Sequence, residues 1–183
     1  MRVEMQAEGS AEDVVRAFTT FGTIVSERGW TVRVENPGEF AQGGGRFEIV
    51  HRAPTVVLDA AHNIDGARAC AATLAEEFTL GGSLIMVIGM LGGRDPAEIL
   101  EALDVSDVGF LVACTPDSPR AIPAPQIAAI ADGLGVVAES VRTVEDAVAR
   151  ALALATSDDF VLVTGSLYVV GPARTALLAE VDA

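Results

Sequence analysis

From residue 46 onward the chain alternates short apolar runs with amphipathic stretches. RFEIVH (46–51) alternates apolar and polar positions like an exposed strand, RAP supplies a turn, and TVVLD (55–59) is a continuous β-branched run, so the two predict a hairpin. Residues 65–78 (DGARACAATLAEEF) predict a helix, 83–91 (SLIMVIGML) a buried strand, 95–103 (DPAEILEAL) a helix with Pro96 near its first turn, and 108–115 (VGFLVACT) another buried strand. A helix over 124–134, a short strand at VVAES, a helix over 143–156 opened by a threonine cap, a strand over 160–166 and a last helix from about Ala173 complete the series. Buried strands alternating with helices predict a Rossmann-like α/β fold, a mostly parallel sheet of about six strands with helices on both faces. The hairpin adds one antiparallel strand at an edge.

The first 42 residues have a different character. Val14, Val15, Phe18, Phe21, Ile24 and Val25 fall at helical spacing within residues 11–28, and WTVRVEN, from Trp30, alternates like a short strand. NPGEFAQGGG then reads as a flexible joint, which divides the chain into an extension over 1–42 and a main domain over 43–183.

Charge and composition narrow the chemistry. The 183 residues carry 26 acidic and 12 basic side chains, a net charge of -14, which disfavours nucleic acid and anionic membrane while leaving room for a small anion held by local arginines. Every basic residue is arginine. Without lysine there is no phosphate loop of the G-x-x-x-x-G-K-[ST] type, no Schiff-base lysine and no lysine general base. Cys70 and Cys114 lie in apolar stretches and read as small core residues, and with His51 and His62 as the only histidines no Cys/His metal spacing exists. The amino terminus lacks the apolar centre of a signal peptide, and no apolar run approaches the roughly 20 residues that span a bilayer, so a cytoplasmic protein is expected.

In an open parallel sheet ligands bind beyond the carboxyl ends of the strands, and polar residues collect there. The first run leads into Asp59-Ala60-Ala61-His62-Asn63, the next into Gly92-Gly93-Arg94-Asp95, the third into Thr115-Pro116-Asp117-Ser118-Pro119-Arg120, and the last into Gly165-Ser166-Leu167-Tyr168. Each has an ordinary structural alternative. Asp59 is either a ligand contact or a hydrogen-bond acceptor for the following turn, and His62 either a chemical group or a packing residue. Asn63 or Asp65 suits a helix cap, Arg94 and Asp95 a helix-start ion pair, Gly92-Gly93 a turn or an anion cradle, Arg120 plain surface, and Ser166 and Tyr168 packing. His51 reads as solvated. No G-x-G-x-x-G follows a strand, and TGSLY lacks the second glycine of a nucleophile elbow.

GRFEIVHRAPTVVLDAAHN, Gly93-Arg94-Asp95, TPDSPRAIPAPQIA and VTGSLYVVGPAR, in that order, resemble the carboxy-terminal domain of folylpolyglutamate synthases and dihydrofolate synthases, members of the Mur ligase family. The resemblance runs over residues 43–183. It implies part of an ATP-dependent ligase of folate and one-carbon metabolism, which phosphorylates a carboxylate and then joins it to glutamate. It implies ATP contacts for Arg46 and Asp59, a catalytic role for His62, and places near phosphate or amino acid for Asn63, Arg94, Asp95, Ser166 and Tyr168. ATP and Mg are the implied cofactors, with Mg held by a central phosphate-loop domain that residues 1–42 do not resemble. Glutamate, a folate-type acid and that domain are the implied partners, and the chain is not expected to be active alone. Three positions depart from the family pattern: Ala60 replaces glycine and Ile64 proline in the D-G-A-H-N-P motif, and Arg94 replaces the lysine of D-K-D. The alternative expectation is a stand-alone binding module that kept the fold and lost catalysis.

Overall fold

A computed structural model of the chain describes residues 3–6, 31–34, 47–78 and 80–179. The helix expected over residues 11–28, the Gly- and Pro-rich joint and Arg46 lie outside these residues. Strands β1 (Val3–Gln6) and β2 (Thr31–Val34) pair antiparallel, with Val3 opposite Val34. The alternation of WTVRVEN predicts β2. The sequence reading does not include β1, whose four-residue alternation is the shortest that signals a strand and whose partner is remote in sequence.

The main sheet contains β3 (Glu48–Arg52), β4 (Thr55–Leu58), β5 (Leu84–Ile88), β6 (Phe110–Ala113), β7 (Ala138–Ser140) and β8 (Phe160–Thr164). Their spatial order is β3-β4-β8-β5-β6-β7. Only the β3–β4 pair is antiparallel, with a register shift between Ile49 and His51. The five α-helices of the described residues are α1 (Ile64–Glu77), α2 (Pro96–Ala102), α3 (Ala124–Gly133), α4 (Val144–Leu154) and α5 (Leu167–Ala179). The expected α/β architecture, with its antiparallel edge hairpin, is therefore present.

Alternation along the strands sorts side chains into two cores. Val57, Leu84, Met86, Ile88, Leu111 and Leu162 face α1, α2 and α3. Val56, Leu58, Ile85, Val87, Val112 and Val163 face α4 and α5. Both faces of the central strands are thus covered, which is why β4, β5 and β8 read as unbroken apolar runs. β3 is half exposed along its length, as an edge strand with one free side should be.

One boundary differs from the sequence reading. The last helix begins at Leu167, not near Ala173. Gly171-Pro172 reads as a breaker, yet a proline in the second turn removes only one intrahelical bond, and a glycine before it has no Cβ to meet the ring. Ser166 starts the helix: its hydroxyl accepts from Tyr168 N at 3.1 Å and its carbonyl accepts from Val169 and Val170 at 3.0 Å.

Candidate functional site

The parallel strands β4, β8, β5 and β6 all point their carboxyl ends to one edge. α1 leaves β4 toward one face of the sheet, and α5 leaves β8 toward the other. Adjacent strands whose helices depart to opposite faces open a crevice between them, the usual ligand position in this architecture. The turns at that edge are laced together: Asp59 N donates to Val163 O at 3.0 Å and Gly89 N to Thr164 O at 3.4 Å. The Asp59 turn and the Gly165–Tyr168 turn are therefore neighbours.

Asp59, one residue past β4, is only 3% exposed. Its Oδ2 accepts from Phe47 N at 3.1 Å and its Oδ1 from Ala61 N at 2.8 Å. The bond to the following turn is thus formed, together with one to the entry of β3. Next to this turn His62 is exposed, with Nδ1 2.8 Å from the Ala60 carbonyl oxygen. A carbonyl only accepts, so Nδ1 carries a proton and Nε2 is the acceptor of the neutral ring. Asn63 is the cap of α1: its side chain accepts from Gly66 N at 2.8 Å and its carbonyl from Ala67 N at 2.8 Å. The other cap candidate, Asp65, lies in the first turn, where its charge suits the helix dipole.

Gly165 and Gly89 set how closely the central strand ends approach. Gly165 adopts φ +99°, and a Cβ there would stand 2.5 Å from Gly89 O and 2.9 Å from Ile88 Cγ1. A Cβ on Gly89 would stand 2.8 Å from Val169 Cγ2 and 2.9 Å from Cys114 O. Beside them Ser166 is buried, while Leu167 and Tyr168, in the first turn of α5, are exposed. The sequence reading misses Thr164, whose buried hydroxyl is without a hydrogen-bond partner among the described residues. It continues the Phe160–Leu162 alternation, so a polar residue at a core-facing position was the available signal.

Arg94, Asp95 and Arg120 sit farther along the edge, beyond β5 and β6. Arg94 is exposed, and Asp95 caps α2 by accepting from Ala97 N at 2.9 Å. Between those two residues no ion pair forms. Arg120 is exposed but ties the two loops: its Nη2 donates to Gly92 O at 3.1 Å, and Gly92 N donates to Arg120 O at 2.7 Å. Gly92-Gly93 is therefore a braced turn, with Gly93 at φ +109°. Thr115 Oγ1 accepts from Ala124 N at 2.9 Å and caps α3 from the neighbouring loop.

Both cysteines are buried and free, as core residues. Burial pushes the Cys70 thiol up, with the charge of Asp59 and a hydrogen bond to it adding to the effect. Burial, helped by Glu145, pushes Cys114 up to about 12, so neither thiol is a nucleophile at neutral pH. Among the described residues no cluster of three or more His, Cys, Asp or Glu side chains suits a metal ion, and no helix is long and apolar enough to cross a membrane. A groove of about 420 Å³ between α1 and α2 presents Glu98, Glu101 and Asp104 against a single Arg68, which makes it a poor site for polyphosphate.

Residues 45–167 match the family model for the Mur ligase, glutamate ligase domain. The chain is 44% identical over 132 residues to a probable bifunctional folylpolyglutamate synthase/dihydropteroate synthase of Halobacterium salinarum, covering 72% of this chain and 16% of that protein. Its fold is similar to that of E. coli FolC in complex with ADP, with a TM-score of 0.68 and 30% identity over 76% of this chain and 33% of the other. It is also similar to a bifunctional folylpolyglutamate synthase/dihydrofolate synthase with Mn, AMPPNP and L-glutamate bound, with a TM-score of 0.65 and 33% identity over 73% of this chain and 31% of the other. The chain thus spans between 16% and 33% of the length of these relatives.

Proposed function

Because this chain belongs to the Mur ligase family, through its glutamate ligase domain, we propose that it supplies one wall of the site where an ATP-dependent ligase adds glutamate to a folate-type carboxylate. The observation that supports this reading most is the meeting of the Asp59–Asn63 and Gly165–Tyr168 turns at one strand edge, with the ring of His62 open to solvent. The domain boundary proposed at residues 42 and 43 lies close to the start of the family match at residue 45.

In this reading ATP, bound with Mg on a phosphate-loop domain, activates the acid as an acyl phosphate. The present chain closes the site from the other side. Arg46 and the Asp59 turn meet the nucleotide, the arginine as a fork for phosphate oxygens. His62 Nε2 accepts a proton from the glutamate ammonium, freeing the amine to attack. Asn63 and Asp95 hold the first turns of α1 and α2 in place, and the exposed Arg94 offers charge to the phosphates. Ser166 and Tyr168 line the amino-acid side, with Tyr168 53% exposed and able to reach a ligand.

The second reading, a binding module without catalysis, draws on one observation: Arg94 stands where the family's D-K-D pattern has a lysine, which changes the shape and reach of the charge. Reconstitution separates the two. The chain is mixed with the phosphate-loop domain of a relative, dihydropteroate, glutamate and Mg-ATP, and glutamate-dependent ADP formation is followed. Ligase activity should appear only in the mixture and fall at least about 100-fold with His62→Ala. No glutamate-dependent turnover on mixing would favour the binding module.

A further inference from the structure

We propose that Arg174 is a positioning residue, whose ion pair with Glu48 fixes the direction of α5 across the β3–β4 hairpin and so sets where Tyr168 stands in the crevice. The inference rests on the ligase reading above, which gives Tyr168 the amino-acid side, and deepens it.

Arg174 Nε donates to both carboxylate oxygens of Glu48, Oε1 at 2.9 Å and Oε2 at 3.1 Å. The bond joins residues 126 positions apart, so it ties the last helix to the first strand of the main sheet. Little else on β3 is placed to do so. Within that strand only Glu48 and Val50 are partly buried, and Val50 is its one apolar side chain packed against the core that α5 covers. Arg174 is the only charged residue of α5, and Glu48 the only acid of β3. Apolar contact has no direction, whereas a charge-assisted hydrogen bond has one.

The strand order turns this tie into a condition on the crevice. α5 starts at Ser166 beside β8, crosses behind β4 and reaches β3, in a sheet ordered β3-β4-β8. Ser166 pins one end, and Arg174 pins the helix about 12 Å farther along its axis. Between these points Leu167 and Tyr168 stand exposed at the crevice, next to the Asp59 turn that leaves β4. Released from Glu48, α5 swings about Ser166. A swing of about 10° carries a side chain reaching about 6 Å from the axis through about 1 Å, and a misplacement of that size costs up to about 100-fold in rate. The pair is partly exposed, so its own part in stability is small.

The test uses Arg174→Met, Glu48→Gln and the exchanged pair Glu48→Arg with Arg174→Glu, each in the full chain, mixed with the phosphate-loop domain of a relative, dihydropteroate, glutamate and Mg-ATP. Arg150→Met is the control: the side chains of the Arg150–Glu139 pair are similarly exposed, 44% and 30% against 38% and 27%, but the pair lies at β7, the far edge of the sheet. KM for glutamate should rise about tenfold in Arg174→Met and in Glu48→Gln, with KM for ATP within about twofold, and the exchanged pair should recover to within about threefold of the unaltered protein. A purely structural role would lower kcat through loss of folded protein and leave both KM values unmoved. A glutamate KM unchanged in Arg174→Met therefore overturns the proposal, as does an equal rise in Arg150→Met. If the unaltered mixture shows no glutamate-dependent turnover, the ligase reading fails, and residual dipolar couplings of the chain alone decide the rest. A reorientation of α5 against β5 and β8 in Arg174→Met upholds the tie, and an unchanged orientation overturns it.

Discussion

Gly165→Ala should be among the most damaging single-atom changes in this domain. The residue holds φ +99°, and an added Cβ would stand 2.5 Å from Gly89 O, where ordinary contact begins at 3.4 Å. Relief requires the β8–α5 turn to retreat from β5 by about 0.9 Å, against strand ends already laced by the Gly89–Thr164 bond. The left-handed backbone costs an L-residue about 1–2 kcal/mol, and overpacking of this kind about 1–3 kcal/mol more. A loss of about 3–4 kcal/mol follows, a large part of the roughly 5–15 kcal/mol that holds a domain together. Urea denaturation followed by circular dichroism measures it, and the thermal midpoint should fall by about 10 °C. Gly133→Ala is the control. It sits at the end of α3 with nothing within 4 Å of the added Cβ, and should gain about 0.5–1 kcal/mol. A Gly165→Ala loss below about 1 kcal/mol would refute the close-approach argument.

Two further predictions concern charge. Asp159 accepts from Thr156 N and Ser83 N, both at 2.7 Å, and from the Thr156 hydroxyl at 2.9 Å, which holds its carboxyl below the usual range. A lowered folded pKa gives stability that is complete above the unfolded value of about 3.9 and is lost as pH falls through the folded value. The stability gap between the unaltered protein and Asp159→Asn should therefore be steady from about pH 7 to 5 and close below about pH 4, and a gap that widens on acidification would contradict the assignment. The net charge of -14 predicts self-repulsion that salt relieves, because the screening length drops from about 10 Å at 0.1 M to about 3 Å at 1 M. The thermal midpoint should climb by about 5 °C or more in potassium chloride over that range, and a flat or falling midpoint would count against it.

The main sheet was legible in the sequence because β4, β5, β6 and β8 are covered on both faces and so carry continuous apolar runs. The hairpin showed itself by contrast, β3 alternating where β4 does not. The start of α5 was not legible, since Gly171-Pro172 imitates a helix stop and only the tertiary setting shows Ser166 as its cap. Several candidate residues were visible by position yet carry structural duties: Asn63 and Asp95 are helix caps and Arg120 is a loop tie. Asp59 is the instructive case. Its place after a strand pointed to the rim, but sequence gives no sign that its carboxylate is sealed under Phe47, because that contact depends on a backbone angle and on a partner twelve residues away.

The most direct test of the account is to map Mg-ATP onto the backbone amides of the isotope-labelled chain by NMR, with the phosphate-loop domain present. The account predicts shifts confined to the carboxyl edge of the sheet, at Phe47, Ala61, His62, Asn63, Gly165 and Ser166, and none at Thr55, Ser83 or Asp159 at the opposite strand ends. Shifts clustered at those opposite ends, or in the groove between α1 and α2, would contradict it.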